Sequence, residues 1–285
     1  QVLSSRSGLW SQPFARESIA YLAATLDLNR PGREWRSVQD TVYQPLLTER
    51  RPQSWASWQR GEDYYNEGLL IWLDVDTQLR ELSKDLRGLD DFARAFFGPQ
   101  PGIADTSHAP LPYRFEDVVA ALQQVAPYDW AGFLRSRLDG HQPSAPLEGL
   151  RRAGWKLAFT DTPTEYVKGL EDRNKLTDFA FSLGFNVGKE ADLVEVFWDS
   201  PAFKAGLSKG DTLIAVNGVA YKSERLKAAL KAAQDGGKPI ELLLKNQDHY
   251  RTVKISYTAG VRYPTLVPID GSRDRLTEIL RPKTP

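Results

Sequence analysis

The hydrophobic period of this chain changes once, at Gly140–Pro146, and no other feature limits its possible folds as strongly. Before that point apolar residues recur at helical spacing. Residues 13–28 carry a stripe of Phe14, Ile19, Leu22 and Leu26, stopped by Asn29-Arg30-Pro31-Gly32. Residues 63–82 are apolar on more than one face, at Tyr65, Leu69, Trp72, Leu73, Leu79 and Leu82, which predicts a buried helix. Further helices are predicted over 89–97, 115–125 and 129–138, the last capped by Asp129. The Pro- and Gly-rich stretch 98–112 reads as a loop. Beyond Pro146 short strand-like runs take over at 155–160, 178–187, 193–197, 212–216, 240–245 and 251–257. Only 223–234 is clearly helical there, closed by Gly236-Gly237. The expected fold class is α+β and multidomain: an all-α part over 1–147, a small β-rich part over 148–260, and a tail over 261–285 with one short helix at 272–280. A length of 285 residues agrees with about two domains, at roughly 150 residues each.

Charge and composition remove several functions. Lys plus Arg and Asp plus Glu both number 37, so no basic excess marks a nucleic-acid binder. Cysteine is absent, which rules out disulfides, thiolate metal sites and cysteine nucleophiles. His108, His141 and His249 lie far apart, without the close spacing of a histidine metal site. No apolar run approaches the ~20 residues that span a bilayer, so neither membrane nor nucleic acid is expected as a partner. The compartment stays open between cytoplasm and periplasm for a soluble chain. A start at Gln1, with neither initiator methionine nor signal peptide, is read as that of a piece of a longer protein.

In the β-rich part, residues 200–218 combine a short helix opened by Pro201, an end at Gly206, a Gly210-Asp211 turn, a buried strand and an Asn217-Gly218 hairpin. This run resembles the PDZ domain. The resemblance makes Ser182-Leu183-Gly184-Phe185 the carboxylate-binding loop, with Ser182 where that family usually has glycine. Backbone N–H groups of such a loop form a nest for an anion, and the following strand offers an edge to an extended peptide. Ser182, Leu183, Gly184, Phe185, Asn186 and Val187 are therefore the candidate peptide-binding residues, with helix 223–234 as the opposite groove wall. In the alternative, the loop is a tight connection and the protein's own chain fills the groove.

In the helical part, residues 58–76 run from a polar, Tyr-rich helix start into a buried helix. A phenol at a helix N-terminus is a neutral donor at pH 7, placed where partial positive charge favours a developing anion. It could stabilise a tetrahedral oxyanion without transferring a proton. On the residues alone, Tyr64 and Tyr65 are as readily core or rim. With Pro31-Gly32-Arg33 upstream and residues 89–98 downstream, however, this stretch resembles the C-terminal half of the glycyl aminopeptidase family. Those zinc metallopeptidases carry a thermolysin-like catalytic domain followed by a PDZ domain. Related alanyl-type aminopeptidases have a Tyr-x-x-Gly motif whose tyrosine polarises the scissile carbonyl, and Tyr65-Asn66-Glu67-Gly68 matches it. The resemblance makes Tyr65 the first catalytic candidate and Tyr64 the second.

The zinc motif H-E-x-x-H does not occur, and residues 1–10 resemble the family's sequence just past its last ligand. The chain is thus expected to hold no cofactor, with zinc in the intact parent, and to be inactive alone. Its expected partners are a peptide substrate or peptide C-termini, and the N-terminal half of the parent. The implied activity is release of small N-terminal residues, Gly or Ala, from peptides. The competing reading is a non-enzymatic PDZ adaptor or scaffold. Asp76 with Arg80 reads as an ordinary i,i+4 pair, Asp90-Asp91 as a helix start, and the three histidines as loop, linker and hairpin residues.

Overall fold

The computed structural model describes residues 1–48, 55–98, 112–234 and 236–283; His108 and residues 99–111 of the expected loop lie outside them. The helical part opens with α1 (Val2–Arg6), α2 (Gln12–Leu28), a 3-10 turn at Pro31–Glu34, α3 (Val38–Thr41), α4 (Gln44–Leu47) and α5 (Ala56–Gln59). It continues with α6 (Asp63–Leu82), α7 (Leu89–Phe97), α8 (Phe115–Val125), α9 (Trp130–Leu138) and α10 (Glu148–Arg152). Polar caps set the starts. Ser11 Oγ accepts the Phe14 N–H ahead of Pro13, and Asp129 accepts the Gly132 N–H. Asp91 is the first-turn acid expected, its carboxylate accepting the Gly88 N–H, but the N-cap is Gly88 and not Asp90.

Helix α6 is the central beam, and its apolar residues serve two cores. Leu70 and Leu73 pack with Ala15, Ile19 and Ala23 of α2 and Leu150 of α10. Ile71, Val75 and Leu79, one turn apart, pack with Phe92, Leu122 and Trp130 of α7 to α9. Burial on these faces leaves Asp74, Asp76 and Thr77 inside, and each of the three has a partner. Asp74 accepts from Arg137 (2.5 Å) and Arg152, while Asp76 pairs with Arg80 at 2.9 Å, the expected i,i+4 contact. Among the described residues no helix is long and apolar enough to cross a membrane.

The second half contains β1 (Trp155–Thr160), α11 (Glu165–Asn174), β2 (Leu176–Phe179), β3 (Phe185–Gly188), β4 (Leu193–Val196), α12 (Pro201–Lys204), β5 (Thr212–Val216) and β6 (Val219–Ala220). Then come α13 (Ser223–Gln234), β7 (Ile240–Asn246), β8 (His249–Ile255), β9 (Tyr263–Pro268) and α14 (Arg275–Leu280). The sheets run β2-β3-β4, β6-β5-β7-β8 and β1-β9. The first two enclose one core with Leu226 and Leu230 of α13. Asn217 and Gly218 are both left-handed, φ 49° and 79°, as the two-residue hairpin requires. Helix and sheet are thus combined as the α+β expectation has it. The one strand expected over 178–187 is two, folded back at Ala180–Gly184. Helix α11 was not expected: it buries only Val167, so no apolar stripe announces it.

The tail returns to the helical part. Strand β9 pairs along the whole of β1 and lies on α2, and Leu276, Ile279 and Leu280 of α14 join Leu70 and Leu150 in one core. That core draws on residues from both sides of 147 and of 261. The β-rich unit departs at Thr160 and returns at its pairing partner Tyr263. Ser5 Oγ donates to Leu280 O at 2.7 Å and Arg6 Nε to Ile279 O at 2.7 Å.

Asp85, just past α6, accepts from Arg275 (2.6 Å) and Arg273 (2.9 Å). The Arg275 hydrogen bond, outweighing partial desolvation, holds the Asp85 carboxyl below its usual range. A depressed carboxyl contributes stability above its unfolded value, near ~4, that is lost as pH falls through its folded value. The Asp85→Asn protein should therefore lose less Tm than the parent between about pH 5 and about pH 3. Equal losses would show that the link carries no acid sensitivity.

Candidate functional site

The first turn of α6 points in two directions. Asp63 and Glu67, four residues apart, face inward and are 3% and 2% exposed, whereas Tyr65 between them is 69% exposed. Three guanidinium groups receive the two carboxylates. Arg30 Nε donates to Asp63 at 3.0 Å and Arg60 Nε at 3.1 Å; Arg33 donates to Glu67 at 2.7 Å, joined there by Arg60. The remaining donors reach backbone carbonyls: Arg60 to Arg36 O, and Arg33 to Leu26 O and Ser144 O. Arginine suits this role because its planar fork spreads one charge over several fixed bonds. Burial nevertheless raises the Glu67 carboxyl against the pull of Arg33 and Arg60, and lowers the Arg33 guanidinium. Both shifts carry one meaning: desolvation is the larger force in this cluster.

The guanidinium groups lie beneath the helix N-terminus, whose dipole places partial positive charge there. Tyr64, half-buried, donates its backbone N–H to Thr41 Oγ1 at 3.1 Å, and its ring lies 4.3 Å from that of Tyr65. Of the two candidates, Tyr65 is turned outward and Tyr64 is set against it. Arg30, Arg33 and Arg60 were missed as a group, because each looks like an ordinary surface charge within its own segment. One signal was present in Pro31-Gly32-Arg33. A Cβ on Gly32 would overlap the Trp58 carbonyl, so the glycine lets α5 and the 3-10 turn close together.

The other candidate residues form the β2–β3 connection. Leu183, Phe185 and Val187 are core residues, while Ser182 is buried and Asn186 half-buried. Gly184 is left-handed at φ 84°, and a Cβ there would overlap the Ser200 side chain. Ser182 is not left-handed; its hydroxyl accepts the Arg262 N–H at 3.1 Å, which gives serine a use at that position. Phe185 to Val187 were expected to present an open edge. They do not: β3 pairs with β4 on one side and with β2 on the other, Asn186 opposite Asp178 and Val187 opposite Thr177. Strand β2 thus covers the edge of β3 that was expected to be open.

The two halves meet in an aromatic row. Trp58 stacks on Trp198 at 5.0 Å, Trp35 and Trp55 flank them, and Phe203 lies 4.5 Å from Trp198. The Trp198 N–H donates to Ser57 Oγ at 3.0 Å. The described residues do not fit a zinc site. Among the described residues no three His, Cys, Asp or Glu side chains are grouped to hold a metal ion, and Asp63, Glu67, Asp74 and Asp76 are all ion-paired.

Residues 1–71 match the family described as M61 glycyl aminopeptidase. An aminopeptidase N family protein from Idiomarina loihiensis superposes over 99% of this chain, with TM-score 0.64 and 18% identity. The chain covers 46% of that protein, so it spans about half its length. The HtrA3 PDZ domain bound to a phage-derived ligand is 19% identical over 41% of this chain and 95% of the domain, at TM-score 0.20. No curated protein matches.

Proposed function

We propose that this chain, similar to the M61 glycyl aminopeptidases over residues 1–71 and to an aminopeptidase N family protein in fold, is the C-terminal part of a zinc aminopeptidase. It closes one side of the catalytic cleft and presents Tyr65 there. The observation that carries the reading is the divided first turn of α6. Asp63 and Glu67 anchor it in a buried guanidinium cluster, and Tyr65 stands out from the same turn. An anchored turn holds the phenol at a fixed place, and pre-organised donors need no reorganisation as charge develops. The Tyr65 O–H would donate to the oxygen of a peptide carbonyl as it turns tetrahedral, keeping its proton throughout.

Exposed apolar side chains beside this turn favour a partner there. Helix α3 packs on α6, and Val42, Tyr43, Leu46 and Leu47 just beyond it are all exposed. Residues of the intact protein outside this chain would cover that face and carry the metal ligands. The preference for Gly or Ala at the substrate N-terminus follows from the resemblance. The test compares peptide hydrolysis by the intact protein with that by residues 1–285. Release of small N-terminal residues by the former alone is expected. Zinc-dependent release of glycine by the isolated chain would overturn the proposal.

A further inference from the structure

The hairpin β2–β3 closes on a single carbonyl oxygen. The N–H groups of Ser182 and Gly184 both donate to one oxygen, the carbonyl of Phe179, at 3.1 and 2.9 Å. Two loop amides converging on one oxygen is how a backbone nest takes a peptide carboxylate. Phe179 ends a four-residue strand running antiparallel to β3, in register from Leu176–Gly188 to Phe179–Phe185. Its side chain is fully buried in the core formed by Phe185, Val187 and the α13 residues Leu226 and Leu230. Strand direction, register, buried terminal side chain and capped oxygen are those of a C-terminal peptide added to a groove.

We propose that β2 is a built-in ligand, occupying the groove of the PDZ-like unit in place of an external peptide C-terminus. Its last residue, Phe179, stands where the ligand's terminal residue would sit, and its carbonyl takes the place of the carboxylate. The strand is also fastened from outside. Asp178 accepts the Tyr21 hydroxyl of α2 at 2.8 Å and the Ala180 N–H at 2.7 Å. Ala180 and Phe181 continue into a cluster with Ala24 and Tyr21, where Phe181 meets Tyr21 edge-on at 5.3 Å. Freeing the groove therefore requires parting this segment from α2. The occupied groove makes the unit a fixed wall against the helical part and silences peptide capture, whatever reaction the intact protein performs.

The experiment uses this chain alone and involves no hydrolysis, so its outcome is independent of the aminopeptidase reading. Isotope-labelled chain is titrated with a pentapeptide ending in free valine carboxylate, and with its amidated twin. Thr177→Pro, which removes a backbone donor from β2, is titrated alongside; Tyr21→Phe, which removes only the outer fastening, serves if the proline variant does not fold. The unmodified chain should show no shifts at the amides of residues 182–187. A variant should respond there to the free carboxylate only, with apparent affinity raised about tenfold or more as the open fraction grows. Shifts at 182–187 in the unmodified chain would overturn the proposal, and so would silence in both forms.

Discussion

Replacing Tyr65 by Phe in the intact protein is expected to lower kcat by about 10²- to 10³-fold, the range for loss of one oxyanion donor. KM should change little, because the hydrogen bond is made mainly in the transition state. The expectation is specific because Tyr65→Phe removes one oxygen from a 69% exposed side chain and leaves the anchoring pairs of Asp63 and Glu67 in place. Tyr64→Phe is the comparison. Tyr64 shares the turn and the ring contact but is half-buried, so its kcat should stay near that of the parent. An unchanged kcat in Tyr65→Phe together with a fall in Tyr64→Phe would transfer the role. Unchanged kcat in both would remove the tyrosines from the chemistry.

The largest loss of stability is expected from Glu67→Ala. The substitution leaves the Arg33 and Arg60 side chains, 3% and 1% exposed, facing each other without their shared carboxylate. Breaking a buried pair from one side costs about 3–5 kcal/mol, because the abandoned charge stays out of water. Here one carboxylate serves two guanidinium groups, which puts Glu67→Ala toward the upper end of that range. Denaturant unfolding of the chain measures it, with Glu148→Ala as the comparison. Glu148 pairs with Arg151 at 2.6 Å, but both are exposed, and such pairs are worth only about 0–1 kcal/mol. A Glu67→Ala midpoint indistinguishable from that of Glu148→Ala would show that the cluster collapses around the gap or admits water.

Helices with an apolar stripe were legible from the sequence. Residues 63–82, 89–97 and 115–125 form helices with those bounds, because burial on one or two faces writes a 3.6-residue period into the chain. Elements without such a stripe were not. Helix α11 buries one residue, and its N-terminal signal, Thr164 accepting the Val167 N–H, is a single hydroxyl in a polar stretch. Strand alternation continued through residues 178–187 because Phe179, Phe181, Leu183, Phe185 and Val187 keep a period of two across a turn. Alternation reports which face is buried and is silent on whether an edge is paired, so the occupied groove could not be read from it. The candidate tyrosines were found by resemblance. Their support was invisible because its members, Arg30 and Arg33 on one side and Arg60, Asp63 and Glu67 on the other, come from two segments that only folding brings together.

The return of β9 and α14 to the helical part also sets the order of events during synthesis. Helices α2 and α6 are translated before the β-rich unit, yet the hydrophobic seat between them is completed by Leu266, Leu276, Ile279 and Leu280, translated only after it. Compact segments generally fold as they emerge, the earliest first. Here that order is reversed at the last seat: the β-rich unit is complete in sequence before β9 and α14 arrive to cover the helices. Contacts as distant as Ser5 with Leu280 make that final step slow relative to local helix formation.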